Sequence, residues 1–212
     1  MKALFFDFDG VVVKSMEDHY EGWRRVLAEY GIDMAPEELY LLEGQAVEAV
    51  ASQLIRKFNL PSDQILILIE KKRHYYEQIK KPEIYPHLVD VLQWAREKNL
   101  AIGLVTGGDR YRVDETLKAF GLQDYFDAVV TAEDVAFTKP SPEPYLRAAQ
   151  LVGVEPSDCV VIENAPLGIR SAKSAGMKCI AVTTTLPPAF LREADVVVEN
   201  LAEALDALKR LY

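Results

Sequence analysis

The chain opens on a short apolar run, Ala3-Leu4-Phe5-Phe6, that neither alternates with polar residues nor lasts long enough for a helix. A run of this kind fits a strand buried on both faces of a parallel sheet. Similar runs follow at Ala101 to Val105, Ala128 to Thr131, Cys159 to Ile162, Cys179 to Val182 and Val196 to Val198. Between them the apolar positions shift to helical spacing. Leu88, Leu92, Trp94 and Ala95 form one stripe that stops near Asn99, and Val113, Leu117 and Phe120 form another, stopped by Gly121. Ser141-Pro142 caps and opens a third helix, with Leu146, Ala149 and Leu151 expected on its inner side and Gly153 behind it. Ile169, Ala172 and Ala175 make a fourth, closed by Gly176, and Leu201 to Leu211 ends the chain as a fifth. Strands alternating with helices of this length predict right-handed crossovers and a doubly wound parallel α/β sheet.

Residues 15–81 break the rhythm. Ser15 to Tyr30, Pro36 to Phe58 and Pro61 to Ile79 read as helices alone, punctuated by Gly31, Pro36, Pro61 and Pro82. The run Ile65-Leu66-Ile67-Leu68-Ile69 has the β-branched content of a strand, but polar positions flank it at helical spacing and no turn closes it, so helix is the reading. The expected organisation is a core of residues 1–14 and 82–212, with an inserted α-helical cap of residues 15–81 that returns through Lys80-Lys81-Pro82 and lies over the sheet.

Composition narrows the classes of function. Half of the 212 residues are apolar and 27% are charged, which is ordinary for a folded domain. The 24 basic residues fall short of the 33 acidic ones, a net charge of −9 that argues against nucleic acid or an anionic membrane as partner, since both need a broad basic face. No apolar run approaches the ~18 residues of a membrane span. Asp7 and Asp9 interrupt the amino terminus before a signal-peptide core could form, and the chain is expected in the cytoplasm. Cys159 and Cys179 are accordingly read as buried free thiols. The acidic surface fits a monomer or a homodimer.

Ligands of doubly wound sheets gather at the carboxyl ends of the strands. Polar features stand at such ends here: Asp7-Phe8-Asp9-Gly10, Thr106-Gly107-Gly108, Thr138-Lys139-Pro140 and Glu163-Asn164. Each alone is an ordinary turn, cap or surface charge; their joint order is not. Alternate residues of an extended strand share a face, so the carboxylates of Asp7 and Asp9 are expected in one space, where they repel unless a cation lies between them or one stays protonated. Mg2+ fits, because it takes a few carboxylate oxygens and keeps its water, whereas the loop lacks the further acids of a calcium-binding EF-hand. Lys139 and a divalent ion would together offset Asp7, Asp9 and Glu163, leaving room for a phosphate dianion. Lys139 would then bridge nucleophile and phosphoryl oxygens, while Thr106 and the amides of Gly107 and Gly108 donate hydrogen bonds at the start of a helix opened by Asp109.

These segments, with Val105-Thr106-Gly107 and Val161-Ile162-Glu163-Asn164-Ala165-Pro166-Leu167-Gly168, resemble the haloacid dehalogenase superfamily, in its phosphatase and β-phosphoglucomutase-like branch with a small helical cap. The resemblance covers essentially the whole chain. It implies that Asp7 attacks phosphorus to form an aspartyl-phosphate, that Asp9 protonates the leaving oxygen and later activates water, and that Asp7, the Asp9 carbonyl and the Glu163-Asn164 turn hold Mg2+. The implied activity is hydrolysis of a small phosphorylated metabolite, a sugar or polyol phosphate. His19 and Trp23 match positions that face the substrate from the cap; simple packing in the first cap helix is the other reading.

The chain departs from that pattern in several places. Where related phosphomutases place an Arg after the Gly of Leu42-Glu43-Gly44, Gln45-Ala46-Val47-Glu48 follows, and Glu43 and Glu48 would repel a second phosphate unless Arg56, Lys72 or Arg73 supplies the charge. This favours hydrolysis, with a sugar phosphomutase and a weakly catalytic phosphometabolite sensor as alternatives. Dehalogenases do not need Asp9, phospho-receivers lack a helical insertion, and the single Gly after the first strand does not suit a dinucleotide. Lys14 and Asn164 both stand where relatives often carry Asp. Asn164 can ligate through its amide oxygen but adds no charge. Asn164→Asp is therefore expected to bind Mg2+ more tightly than the native chain, which itself remains active; equal affinities in a metal titration would contradict this.

Overall fold

The computed structural model describes residues 1–212. In chain order the first half contains β1 (Ala3–Phe6), β2 (Val13–Lys14), α1 (Met16–Ala28), α2 (Pro36–Tyr40), α3 (Val47–Phe58), α4 (Ile65–Ile79), β3 (Glu83–Ile84) and α5 (Leu88–Glu97). The second half contains β4 (Ala101–Val105), α6 (Arg110–Ala119), β5 (Ala128–Val130), α7 (Glu143–Val152), β6 (Cys159–Glu163), α8 (Pro166–Ser174), β7 (Lys178–Val182), β8 (Val196–Val198) and α9 (Leu201–Leu211). Six strands form one parallel sheet in the order β5-β4-β1-β6-β7-β8. The chain thus fills one side of β1, then returns to fill the other. That reversal puts the carboxyl end of β1 between those of β4 and β6, at a topological switch point.

The apolar runs explain the layers. Leu4 and Phe6 project to one side of β1 and pack with residues of α5, α6 and α9; Ala3 and Phe5 project to the other and pack with α7 and α8. All four are fully buried, so the absence of alternation in the run reflects burial on both faces. No helix is long and apolar enough to cross a membrane. Both cysteines are free and buried, as expected.

Helices α1 to α4 bury a cluster of their own around Trp23, Val26, Leu27, Leu54 and Leu68. The isoleucine- and leucine-rich run does fold as helix: Leu68 and Ile69 point inward while Leu66 and Ile67 are exposed. β2 and β3, the outgoing and returning connections of this unit, pair antiparallel, with Val13 opposite Ile84 and Lys14 opposite Glu83. The Lys14 ammonium lies 3.3 Å from the Glu83 carboxylate and 5.9 Å from the centre of the Tyr85 ring, which gives Lys14 a place in the hinge rather than at the strand ends.

Two expectations need correction. Pro36 to Phe58 is not one helix but α2 and α3, separated by a turn in which Gly44 has φ of 89°. On α7, Leu146 and Leu151 face outward, 41% and 48% exposed, because the inward face is set by Tyr145, Ala148 and Ala149, which stand at helical spacing from one another.

The sheet leaves no slack at its centre. A Cβ on Gly103 of β4 would lie 2.7 Å from the Phe5 ring. Gly103→Ala should therefore cost about 1–3 kcal/mol by overpacking, read as a lower urea midpoint; an unchanged midpoint would show that Phe5 moves aside freely.

Candidate active site

Asp7 follows β1 directly, and its N–H donates to the Ile162 carbonyl at 3.0 Å, which fixes it beside the end of β6. Lys139 arrives from beyond β5 and is 1% exposed. Its Nζ donates to Asp7 Oδ1 at 2.5 Å, Glu163 Oε1 at 2.7 Å and the Val105 carbonyl at 3.0 Å, so all three ammonium donors are used. Tyr145, from α7, donates its hydroxyl to Glu163 Oε1 at 2.9 Å, and its ring centre lies 5.0 Å from the ammonium. Glu163 Oε2 accepts the N–H groups of Asn164 and Ala165. The geometry therefore turns Glu163 toward holding the lysine.

One ammonium shared by two carboxylates leaves a buried negative charge over. Burial drives the Asp7 carboxyl up to about 7, with Lys139 opposing and Glu163 adding to the shift. Lys139 goes the other way from what burial would do: Asp7 and Glu163 together raise it and keep it protonated.

β1 ends at Phe6, and the strand spacing that would put both carboxylates on one face does not extend to Asp9. Asp9 meets Arg112 instead, in a two-pronged ion pair of 2.8 and 2.6 Å. Ser15 Oγ donates to Asp9 Oδ1 at 2.5 Å and His19 Nε2 lies 3.3 Å from the same oxygen. Behind His19, Nδ1 accepts from Lys72 Nζ at 2.8 Å, and the imidazole stacks on Tyr76 at 4.4 Å. Burial alone would raise the Asp9 carboxyl, but Arg112 and then His19 hold it well below the usual range. Burial, reinforced by Lys72, lowers His19 to about 4, so the ring is neutral, with Nε2–H toward Asp9. Burial and then Arg112 lower Lys72 to about 7.

The turn between α2 and α3 lies on the strand ends. A Cβ on Gly107 would come within 2.5 Å of the Gly44 carbonyl, so only glycine admits this approach. The Ala46 N–H donates to Thr138 Oγ1 at 3.3 Å. Thr106 is buried, its hydroxyl accepting the Gly108 N–H at 3.0 Å, and Asp109 caps α6 by accepting the Arg112 N–H at 2.9 Å. Glu43 is 8% exposed and faces Asn164 Nδ2 at 3.3 and 3.4 Å. Burial raises its carboxyl well above the usual range, with Asp7, Asp9 and Glu163 adding to the shift. Asn164 is fully buried; Nδ2 also donates to Thr185 Oγ1 at 3.0 Å, but Oδ1 has no hydrogen-bond partner. Gly10, with φ of 90°, passes so close that any side chain there would collide with Asn164.

Two clusters thus form: Asp7, Lys139, Thr106, Glu163 and Asn164 at the strand ends, and Asp9, His19 and Lys72 with Arg112 toward the cap. Trp23 joins neither; at 3% exposure it packs inside the helical unit. Glu48, Arg56 and Arg73 lie on the surface. Arg112 was not anticipated from sequence. Its signal was a basic residue in the first turn of α6, against the helix dipole, where an anionic partner off the helix has to compensate.

A family model described as haloacid dehalogenase-like hydrolase matches residues 4–182. The chain belongs to that family. As a haloacid dehalogenase-like hydrolase it is 33% identical over 181 residues to fructose-1-phosphate phosphatase of Escherichia coli (strain K12), covering 85% of this chain and 95% of the relative. It is 31% identical over 212 residues to β-phosphoglucomutase of Bacillus subtilis (strain 168), covering 96% and 91%. The crystal structure of β-phosphoglucomutase from Clostridium difficile superposes with a TM-score of 0.84 at 25% identity, covering 98% of each chain.

The Asp9–Arg112 pair gives this hydrolase a pH signature. Asp9 is depressed in the folded state, so its stabilisation is present above the unfolded value near 3.8 and is lost as pH falls through the folded value. Arg112→Gln removes one partner of a buried pair, a cost of about 3 kcal/mol near neutral pH. The stability gap to wild type should be widest near neutral pH and narrow toward acid, because burial without Arg112 raises the variant's folded Asp9 and lets it take up a proton. Urea melts showing a gap that widens toward acid pH would contradict the assignment.

Proposed function

We propose that the protein is a Mg2+-dependent phosphomonoester hydrolase acting on a small sugar or polyol phosphate through an aspartyl-phosphate at Asp7. The observation that carries this reading is the Lys139 ammonium bound at once to Asp7, Glu163 and the Val105 carbonyl. It fixes one carboxylate at the switch point and places a positive charge where phosphoryl oxygens would lie. The phosphatase and phosphomutase relatives support the substrate class.

The donor set suits a hard cation: the Asp7 carboxylate, the unpartnered Oδ1 of Asn164 and the Asp9 main-chain carbonyl are all oxygens. No three acidic, His or Cys side chains converge on one point, so the carbonyl and amide oxygens have to take part. When bound, Mg2+ offsets charge on the transferring phosphoryl group.

In the first step a carboxylate oxygen of Asp7 bonds to phosphorus and the phosphorus–ester oxygen bond breaks. The departing oxygen takes a proton from Asp9. In the second, Asp9 removes a proton from water, the water oxygen bonds to phosphorus, and the Asp7 carboxylate leaves. Asp9 can give up a proton only after taking one, and Arg112 opposes that, so the two-pronged pair describes a resting state from which substrate must draw the guanidinium. Thr106 and the Gly107 and Gly108 amides orient the phosphoryl oxygens. His19 and Lys72 orient Asp9 from the cap, and closure excludes water from the acyl phosphate.

Arg112, paired with Asp9, and Lys72, behind His19, favour one second reading: they supply positive charge for another phosphate, as a phosphomutase needs. Glu43, an acid facing Asn164 at the strand ends, weighs for hydrolysis.

A panel of sugar and polyol phosphates should release inorganic phosphate with Mg2+ and not with chelator. Asp7→Asn should lower kcat by about 10³-fold or more. Isomerised sugar phosphate in place of inorganic phosphate would establish the mutase reading; turnover surviving in Asp7→Asn would remove both.

A further inference from the structure

Among the acids at the strand ends, Asp7 and Glu163 share Lys139, and Asp9 is paired with Arg112. Glu43 has no cation. Its contacts are the two bonds of 3.3 and 3.4 Å from the Asn164 amide, and a neutral donor at that distance is poor compensation for a carboxylate removed from water. The same Asn164 leaves Oδ1 buried without a partner. Two oxygens, one on the cap and one on the core, thus stand side by side with their needs unmet.

We propose that Glu43 is a cap-borne component of the divalent-cation site, supplying from the helical insertion the negative charge that an amide at position 164 does not. The proposal rests on the Mg2+-dependent reading above and adds a residue from the cap to it. The core donors carry little charge: the Asp9 carbonyl and the Asn164 amide are neutral, and the Asp7 carboxylate is shared with Lys139. A cation held by these groups would have the Glu43 carboxylate as its nearest uncommitted anion. Contact can be direct or through a water that the ion keeps, since Mg2+ dehydrates reluctantly.

Backbone geometry holds Glu43 in place. The Gly44 and Gln45 carbonyls press on Gly107, and a Cβ on Gly44 would lie 2.9 Å from Lys139 Cδ. Glu43 therefore reaches Asn164 only when the turn between α2 and α3 is seated on the strand ends. The cation site is complete in the closed arrangement, and cation binding and closure favour one another by the same factor.

The experiment is Mg2+ titration by calorimetry on substrate-free protein, with melting temperature as a second readout, for wild type, Glu43→Gln, Asn164→Asp and the double variant. Glu43→Gln should weaken Mg2+ binding about 10–100-fold, the effect of removing a supporting ligand. Its metal-free form should melt higher than wild type, because an uncompensated buried acid is gone, and should gain less on adding Mg2+. Asn164→Asp should strengthen binding more in the Glu43→Gln background than in wild type, since each acid then stands in for the other. Wild-type affinity in Glu43→Gln overturns the proposal while leaving the Mg2+-dependent reading intact, and a raised KM with that affinity makes Glu43 a substrate contact. Wild type that binds no Mg2+ removes both.

Discussion

A single ammonium ties the centre of this molecule together. Lys139 Nζ joins the carboxylate beyond β1, the last carbonyl of β4 and the last side chain of β6, all away from solvent. Taking these charges out of water is costly, and the ion pairs offset that cost only while the geometry holds. The strand order supplies the geometry, because reversal about β1 is what makes the three carboxyl ends neighbours. The constraint that keeps the strand ends together also fixes the Asp7 carboxylate at the switch point.

Around that centre the acids have divided roles set by their partners. Glu163 accepts from Lys139, Tyr145 and two main-chain N–H groups, so it acts as a fixed counter-charge. Asp9 is gripped by a core arginine and by Ser15 and His19 of the cap side. Glu43 faces Asn164 from the cap turn. Two of these three contacts cross from helical insertion to sheet, and the paired connections β2 and β3 are the hinge behind them. The helical insertion thereby places Ser15, His19 and Glu43 against side chains of the strand ends.

Much of this was legible in the sequence, for identifiable reasons. Runs such as Ala3 to Phe6 are unambiguous because burial on both faces removes the polar positions. The four polar strand ends announced themselves by order, and a sheet of this kind has one place to gather them. Other features were hidden because they depend on where a helix lands. Arg112 stands in an ordinary first turn until α6 docks beside Asp9, and Glu43 is merely acidic until Gly44 breaks the helix read over Pro36 to Phe58. Leu146 and Leu151 misled because apolar character alone does not choose the inward side of α7, whereas the position of Tyr145 under Lys139 does.

The central claim is that Asp7 becomes covalently phosphorylated during turnover, and trapping that species tests it most directly. Enzyme quenched in acid while turning over a sugar phosphate with Mg2+ would be reduced with borohydride, digested and sequenced by mass spectrometry. The account predicts homoserine in place of Asp7, present only with substrate, and none at Asp9. Active enzyme with Asp7 unmodified, or with reduction at another acid, would contradict it.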